Sequence, residues 1–206
     1  MDVSAPYRSL APTLDLDVLV VLADTTQPLT ARALRQRARR GSDRGIRLAL
    51  ARLAEQGLVD TQPAGSATLY ALNADHLAAP LVRILADLQT EFLTRIRTTI
   101  EAWSVQPRHA SLFGSAARRD GDATSDIDLL LVRPHRLDED AEPWREQVDE
   151  LTAAITRWTG NRVGLSELDT EDIERLRTER PAIVEELQHD ATDLMGVPMR
   201  TLLRAA

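Results

Sequence analysis

The chain has 206 residues, 43% of them hydrophobic and 28% charged, with a net charge of −7, which is enough for one sizeable core or two small ones. No apolar run approaches the roughly 18 residues of a membrane span, and the start from Met1 to Asp15 lacks the basic end and apolar block of a secretion signal. A cytoplasmic protein with no membrane attachment is therefore expected. With no cysteine there is no disulfide framework, no thiolate metal site and no cysteine nucleophile, and four scattered histidines do not suggest zinc.

All 25 basic residues are arginine. The negative total argues against nonspecific nucleic-acid binding, yet between Pro28 and Leu53 eight arginines stand against one acid, Asp43, for a local charge of +7. A lead containing Pro6 and Pro12 reads as loosely ordered. Leu14 to Leu22 is apolar at helical spacing, with Thr13 as cap and Asp15 and Asp17 in the first turn, where carboxylates meet the positive end of the helix dipole. Thr30 opens a second helix that closes near Gly41. Ser42 caps a third, which Gly57 ends. Ile46, Leu50 and Leu53 share one face of it and Arg44 and Arg47 another. Leu58 to Thr61 and Thr68 to Leu72 read as a hairpin.

Three helices followed by a hairpin is the winged helix-turn-helix order, and Leu50 to Asn73 resembles the bacterial winged-helix regulators. That resemblance implies a third helix in the major groove of double-stranded DNA and a wing on its backbone. Arg39, Arg40, Arg44 and Arg47 are the candidate contacts, because guanidinium forks reach guanine edges and phosphates. A solvated arginine face, or a winged helix used for dimerisation, is the alternative. Ala74 to Trp103 then carries apolar residues at positions 77, 81, 84, 85, 88, 92, 96, 100 and 103, close to a 3.6-residue period. One or two linker helices are expected there, with a homodimer seam as an alternative to packing on the flanking modules.

His109 to Phe113 is a short apolar strand, followed by Gly114-Ser115 at a helix start, a polar loop, and a second strand with Asp126 and Asp128. Alternation puts both carboxylates on one face and Ile127 and Leu129 in the core. Two hard oxygen ligands suit Mg²⁺ or Mn²⁺, which takes one or two carboxylates, waters and substrate phosphates. Gly114 permits close backbone approach, and Ser115 adds a hydroxyl and an amide beside the first turn, where anions bind. Further on, Asp138 to Thr159 reads as an amphipathic helix, Arg162 to Leu168 as a strand, Thr170 to Gln188 as helical with a division at Pro181, His189 to Leu194 as a last strand, and the tail to Ala206 as a short helix.

Gly114-Ser115-Ala116-Ala117-Arg118 and Ser125 to Val132 together resemble the GSxARG and SDIDLLV text of the minimal, antitoxin-like members of the DNA polymerase beta nucleotidyltransferase superfamily, with Arg119 in place of the usual glycine. The resemblance implies a nucleoside triphosphate as substrate or ligand, held by Gly114, Ser115, Arg118 and Ser125, with metal on Asp126 and Asp128. It also implies a protein partner, and an acceptor hydroxyl on protein, RNA or a small molecule. The superfamily adds a third acid on the neighbouring strand, where this chain has Gly164. Glu167 is the nearest candidate, on the opposite face unless a bulge shifts the register. The expected fold class is α+β: a winged helix-turn-helix over 1–73, a linker helix over 74–103, and over 104–206 a nucleotidyltransferase fold with a small mixed sheet flanked by helices. Two functions compete, a nucleotidyltransferase tethered to DNA and a degenerate, nucleotide-sensing transcription regulator.

Overall fold

The computed structural model describes residues 1–118 and 121–204. Arg119, Asp120, Ala205 and Ala206 lie outside the described residues, and with them the arginine that departs from the GSxARG pattern, one loop carboxylate and the end of the expected tail helix. The fold is α+β, with ten α-helices and two small sheets among the described residues. It divides into two compact units, Ala5–Gln89 and, separately, Met1–Ser4 with the chain from Thr90 onward.

In the Ala5–Gln89 unit, α1 (Leu14–Ala23), α2 (Ala31–Ala38) and α3 (Asp43–Glu55) each start at a hydroxyl that accepts a backbone N–H. Thr13 accepts from Leu16, Thr30 from Ala33 and Ser42 from Gly45, which satisfies one orphan donor per helix. β1 (Leu29–Thr30) and the hairpin β2 (Val59–Ala64) and β3 (Ala67–Leu72) form an antiparallel sheet in the order β1-β3-β2. Val18, Leu22, Leu34, Ile46, Leu50, Leu53 and Val59 share one core, which Val82 of α4 (Ala79–Ala86) completes.

The lead is ordered, contrary to its proline content. Pro6–Ser9 forms a 3₁₀ turn, and Ala5, Pro6 and Tyr7 are buried. Asp17 is the cause: its fully buried carboxylate accepts from the Tyr7 hydroxyl at 2.9 Å and Arg8 Nε at 2.8 Å, with Arg40 at 3.4 Å. Burial, then the Asp17 charge, pushes the Tyr7 phenol up to about 12.

In the other unit, β4 (His109–Phe113), β5 (Ile127–Val132), β6 (Val163–Leu168) and β7 (Thr192–Gly196) form a mixed sheet in the order β6-β5-β4-β7, with only the β5–β6 pair parallel. α7 (Trp144–Thr159) makes that parallel crossover. It starts later than the amphipathic pattern, since Pro143 lacks an N–H and disfavours helix in the residue before it. Ile127, Leu129 and Leu131 pack with Phe92, Ile96 and Ile100 of α5 (Leu88–Glu101) and with Trp144, Val148, Leu151 and Ile155 of α7. Trp103 meets Trp144 edge to face at 5.5 Å. Leu130 and Val132 point to the other face, against α8 (Thr170–Glu179), α9 (Ala182–His189) and α10 (Met199–Leu202). The apolar stripe of 74–103 divides accordingly: Phe92, Ile96 and Ile100 are core, whereas Leu77, Leu81 and Ile84 are exposed.

Candidate functional site

The turn from β4 into the short helix α6 (Gly114–Arg118) lies beside the start of β5. Asp128 is flanked in the sheet by Phe113 on β4 and Gly164 on β6. Gly114 has φ +64, and a Cβ there would lie 2.2 Å from Asp128 Oδ2; a Cβ on Gly164 would lie 2.7 Å from Oδ1. The carboxylate thus occupies room left by two absent side chains. Asp126 stands just before β5, exposed, and Ile127 between the two acids is fully buried, as alternation requires.

Asp128 titrates above the usual carboxylate range because it is partly buried, and because Asp126 and then Glu186 add negative charge; Arg118 acts in the opposite sense. Glu186 had no local signal in the sequence, being an ordinary polar position of amphipathic α9 until the sheet brings that helix alongside. Arg118 is ion-paired to it, which links α6 to α9. Ser115 lines a small pocket with Gly121, Ser125 and Asp126. A Cβ on Gly121 would lie 3.0 Å from the Ser115 hydroxyl, so glycine lets the loop close there. The Ser125 hydroxyl accepts the Asp122 N–H at 2.9 Å. Asp122 in turn accepts from the Thr124 hydroxyl and N–H and from the Ser125 hydroxyl, which hold its carboxyl below the usual range.

Glu167 is not part of this constellation. β5 and β6 pair in unbroken register, Asp128 opposite Gly164 and Leu131 opposite Glu167, so no bulge turns Glu167 toward Asp128. It points to the α7 face, where Trp144 Nε1 donates to it at 2.8 Å and Arg145 at 3.3 Å. Among the described residues no group of three His, Cys, Asp or Glu is arranged to hold a metal ion. The Asp126–Asp128 pair is what the site offers.

In the Ala5–Gln89 unit the four candidate arginines take different positions. Arg39 ends α2 in the left-handed region, with φ 52. Arg40 is exposed and reaches back to Asp17 at 3.4 Å. Arg44 and Arg47 are exposed on α3, and no salt bridge among the described residues engages them. Arg32, Arg35, Asp43 and Arg47 line a hollow of about 320 Å³ between α2 and α3, with Arg35 paired to Asp43 at 2.6 Å. The hairpin from Val59 to Leu72 contains no basic residue.

No protein-family model matches the chain, and no curated protein matches it. Among solved structures it is similar to a toxin–antitoxin crystallised with AMP-PNP, at 15% identity over 54% of this chain and 80% of that one, with a TM-score of 0.37. A mutant of the toxin–antitoxin MntA–HpeT gives 13% identity over the same shares and a TM-score of 0.36. Human N-acetylserotonin methyltransferase with SAM gives 16% identity over 49% of this chain and 30% of that one, with a TM-score of 0.29.

Proposed function

We propose that the chain is a Mg²⁺-dependent nucleotidyltransferase of the antitoxin-like kind, with residues 104–206 as the transfer module, 1–73 as a winged-helix DNA-binding module and 74–103 joining them. The observation that carries this reading is the Asp128 carboxylate set between Gly114 and Gly164 beside Asp126. Two nearby acids, one of them raised in pKa by burial and by the other's charge, form a donor set that suits a hard divalent cation. Asp126 and Asp128 would hold that cation. When bound, it supplies positive charge to the triphosphate oxygens.

The chain's own groups do the rest. The Gly114 and Ser115 amides and the Ser115 hydroxyl hold the outer phosphates, and Arg118 adds charge once it leaves Glu186. An acceptor hydroxyl attacks the α-phosphorus and pyrophosphate departs. The sequence resemblance adds a toxin-like protein partner as one source of acceptor. On the DNA side, Arg44 and Arg47 on the exposed face of α3 support contact with a duplex, while a wing with no basic residue leaves electrostatic attraction to the α2–α3 surface.

One observation favours a second reading. With Gly164 beside Asp128 and Glu167 on the opposite face, β6 supplies no third acid. The site would then bind nucleotide without turnover, and the chain would be a nucleotide-sensing regulator. Incubation of the protein, alone and with a host lysate, with each α-labelled nucleoside triphosphate and Mg²⁺ separates the two. Label transferred by the parent and lost in the Asp126→Ala, Asp128→Ala variant supports the enzyme; nucleotide binding that shifts DNA affinity with no labelled product supports the regulator.

A further inference from the structure

Met1–Ser4 belongs to the unit that carries the carboxylates, although the residues that follow it build the other unit. Val3 packs against the core on the α5–α7 face. Asn161 clamps the segment, its Nδ2 donating to the Met1 carbonyl at 3.0 Å and to the Ser125 carbonyl at 2.8 Å. The segment thereby becomes one wall of the small pocket whose other wall includes Ser115, Gly121, Ser125 and Asp126. The space left between the walls is about 10 Å³, about the least that holds one water, so arm and loop are in contact.

Inside this wall the Ser4 hydroxyl donates to Asp2 Oδ1 at 2.5 Å, and the Ser4 N–H donates to the same oxygen at 2.9 Å. The first distance is that of a charge-assisted O–H···O⁻ bond. A hydroxyl held on a carboxylate in the pocket that Asp126 also lines is what an acceptor for nucleotidyl transfer requires: a nucleophile with a base in reach.

We propose that Ser4 is a self-modification site, nucleotidylated within its own chain with Asp2 as base; this rests on the nucleotidyltransferase reading above. The Ser4 oxygen forms a bond to the α-phosphorus of a nucleoside triphosphate, and its proton passes to Asp2. The bond from the α-phosphorus to the bridging oxygen breaks, and pyrophosphate leaves with that electron pair. The product is a phosphodiester linking Ser4 to the nucleoside through the α-phosphorus.

The test uses the full purified chain with each α-labelled nucleoside triphosphate and Mg²⁺, read by intact mass and by mapping the peptide Met1–Arg8. The expected result is a gain of one nucleoside monophosphate on Ser4, at a rate independent of protein concentration. Ser4→Ala abolishes the label, Ser4→Thr keeps it, and Asp2→Asn slows it about a hundredfold while nucleotide affinity, measured by equilibrium dialysis, is retained. A Ser4→Ala chain labelled at the parent rate, or a parent chain with no mass gain, overturns the proposal and leaves the Ser4–Asp2 contact as a turn. If a lysate component is labelled in an Asp126-dependent way while Ser4 is not, the self-modification falls and the enzyme reading stands. If nothing is labelled and Asp126→Ala leaves nucleotide affinity unchanged, both fall.

Discussion

Asp17 and Asp128 are acids of similar sequence context, each among aliphatic residues, and the fold treats them oppositely. Asp17 is fully buried and receives a tyrosine hydroxyl and two guanidinium groups. Asp128 is half-buried beside Asp126 and Glu186, between two glycines. One carboxylate is satisfied and holds the 3₁₀ turn, α1 and the α2–α3 turn together; the other is left short of positive charge. That difference separates a structural acid from the one we propose to hold a cation, because a carboxylate left short of positive charge is a candidate to have it completed from outside the chain.

The comparison is broken or sharpened by substitution. Asp17→Ala leaves Tyr7, Arg8 and Arg40 without their acceptor and should lower the stability of the Ala5–Gln89 unit by about 3 kcal/mol, seen as an earlier thermal transition. A loss below about 1 kcal/mol would show that Asp17 is no hub. Gly114→Ala forces a Cβ into a left-handed backbone and onto the Asp128 carboxylate, and should cost about 1–2 kcal/mol together with Mg²⁺-dependent nucleotide binding. Full retention of both in a denaturant titration and a binding isotherm would remove the cradle from the site.

Arg47→Ala should weaken duplex binding and reduce the slope of log affinity against log salt by about 1, whereas Arg40→Ala should act chiefly through stability, since Arg40 serves Asp17. Equal effects of the two on stability and on the salt slope would undo that distinction. Asp128→Asn should stabilise the chain slightly at neutral pH, the reverse of Asp17→Ala. The sign follows from its raised pKa: the folded state holds the proton more tightly than the unfolded chain, so the carboxylate favours folding at low pH and that advantage is lost as pH rises through its folded-state pKa. A melting temperature at pH 7 lower than the parent's would contradict it.

His109 is the smallest and last case. It is fully buried on β4, with Nδ1 donating to the Val197 carbonyl at 2.8 Å, and burial lowers its pKa despite Asp193 at 3.9 Å from Nε2. The unfolded chain therefore takes up a proton first, so stability is complete above about pH 6.5 and declines as pH falls below it. The urea midpoint of a His109→Gln variant should show a shallower decline between pH 6.5 and 5 than the parent.

Local chemistry carried much of this in the sequence. Caps at Thr13, Thr30 and Ser42, the division at Pro181, the strands around the G-S turn and the D-x-D alternation are each decided by residues a few positions apart, which is why they could be read from the chain alone. The placement of Asp126 and Asp128 on one face, with Ile127 and Leu129 in the core, is of that kind. What no window of sequence contained was the partner of each polar group. Asp17 becoming a buried hub, Arg40 reaching Asp17, Glu186 arriving from α9, Glu167 bonding Trp144 and Met1–Ser4 lying along the site loop all depend on contacts between residues far apart in the chain. The period of a strand or helix sets which way a side chain points; only the packing of sheets and helices decides what it meets there, and for a charged group that meeting determines whether the group supports the fold or remains available for chemistry.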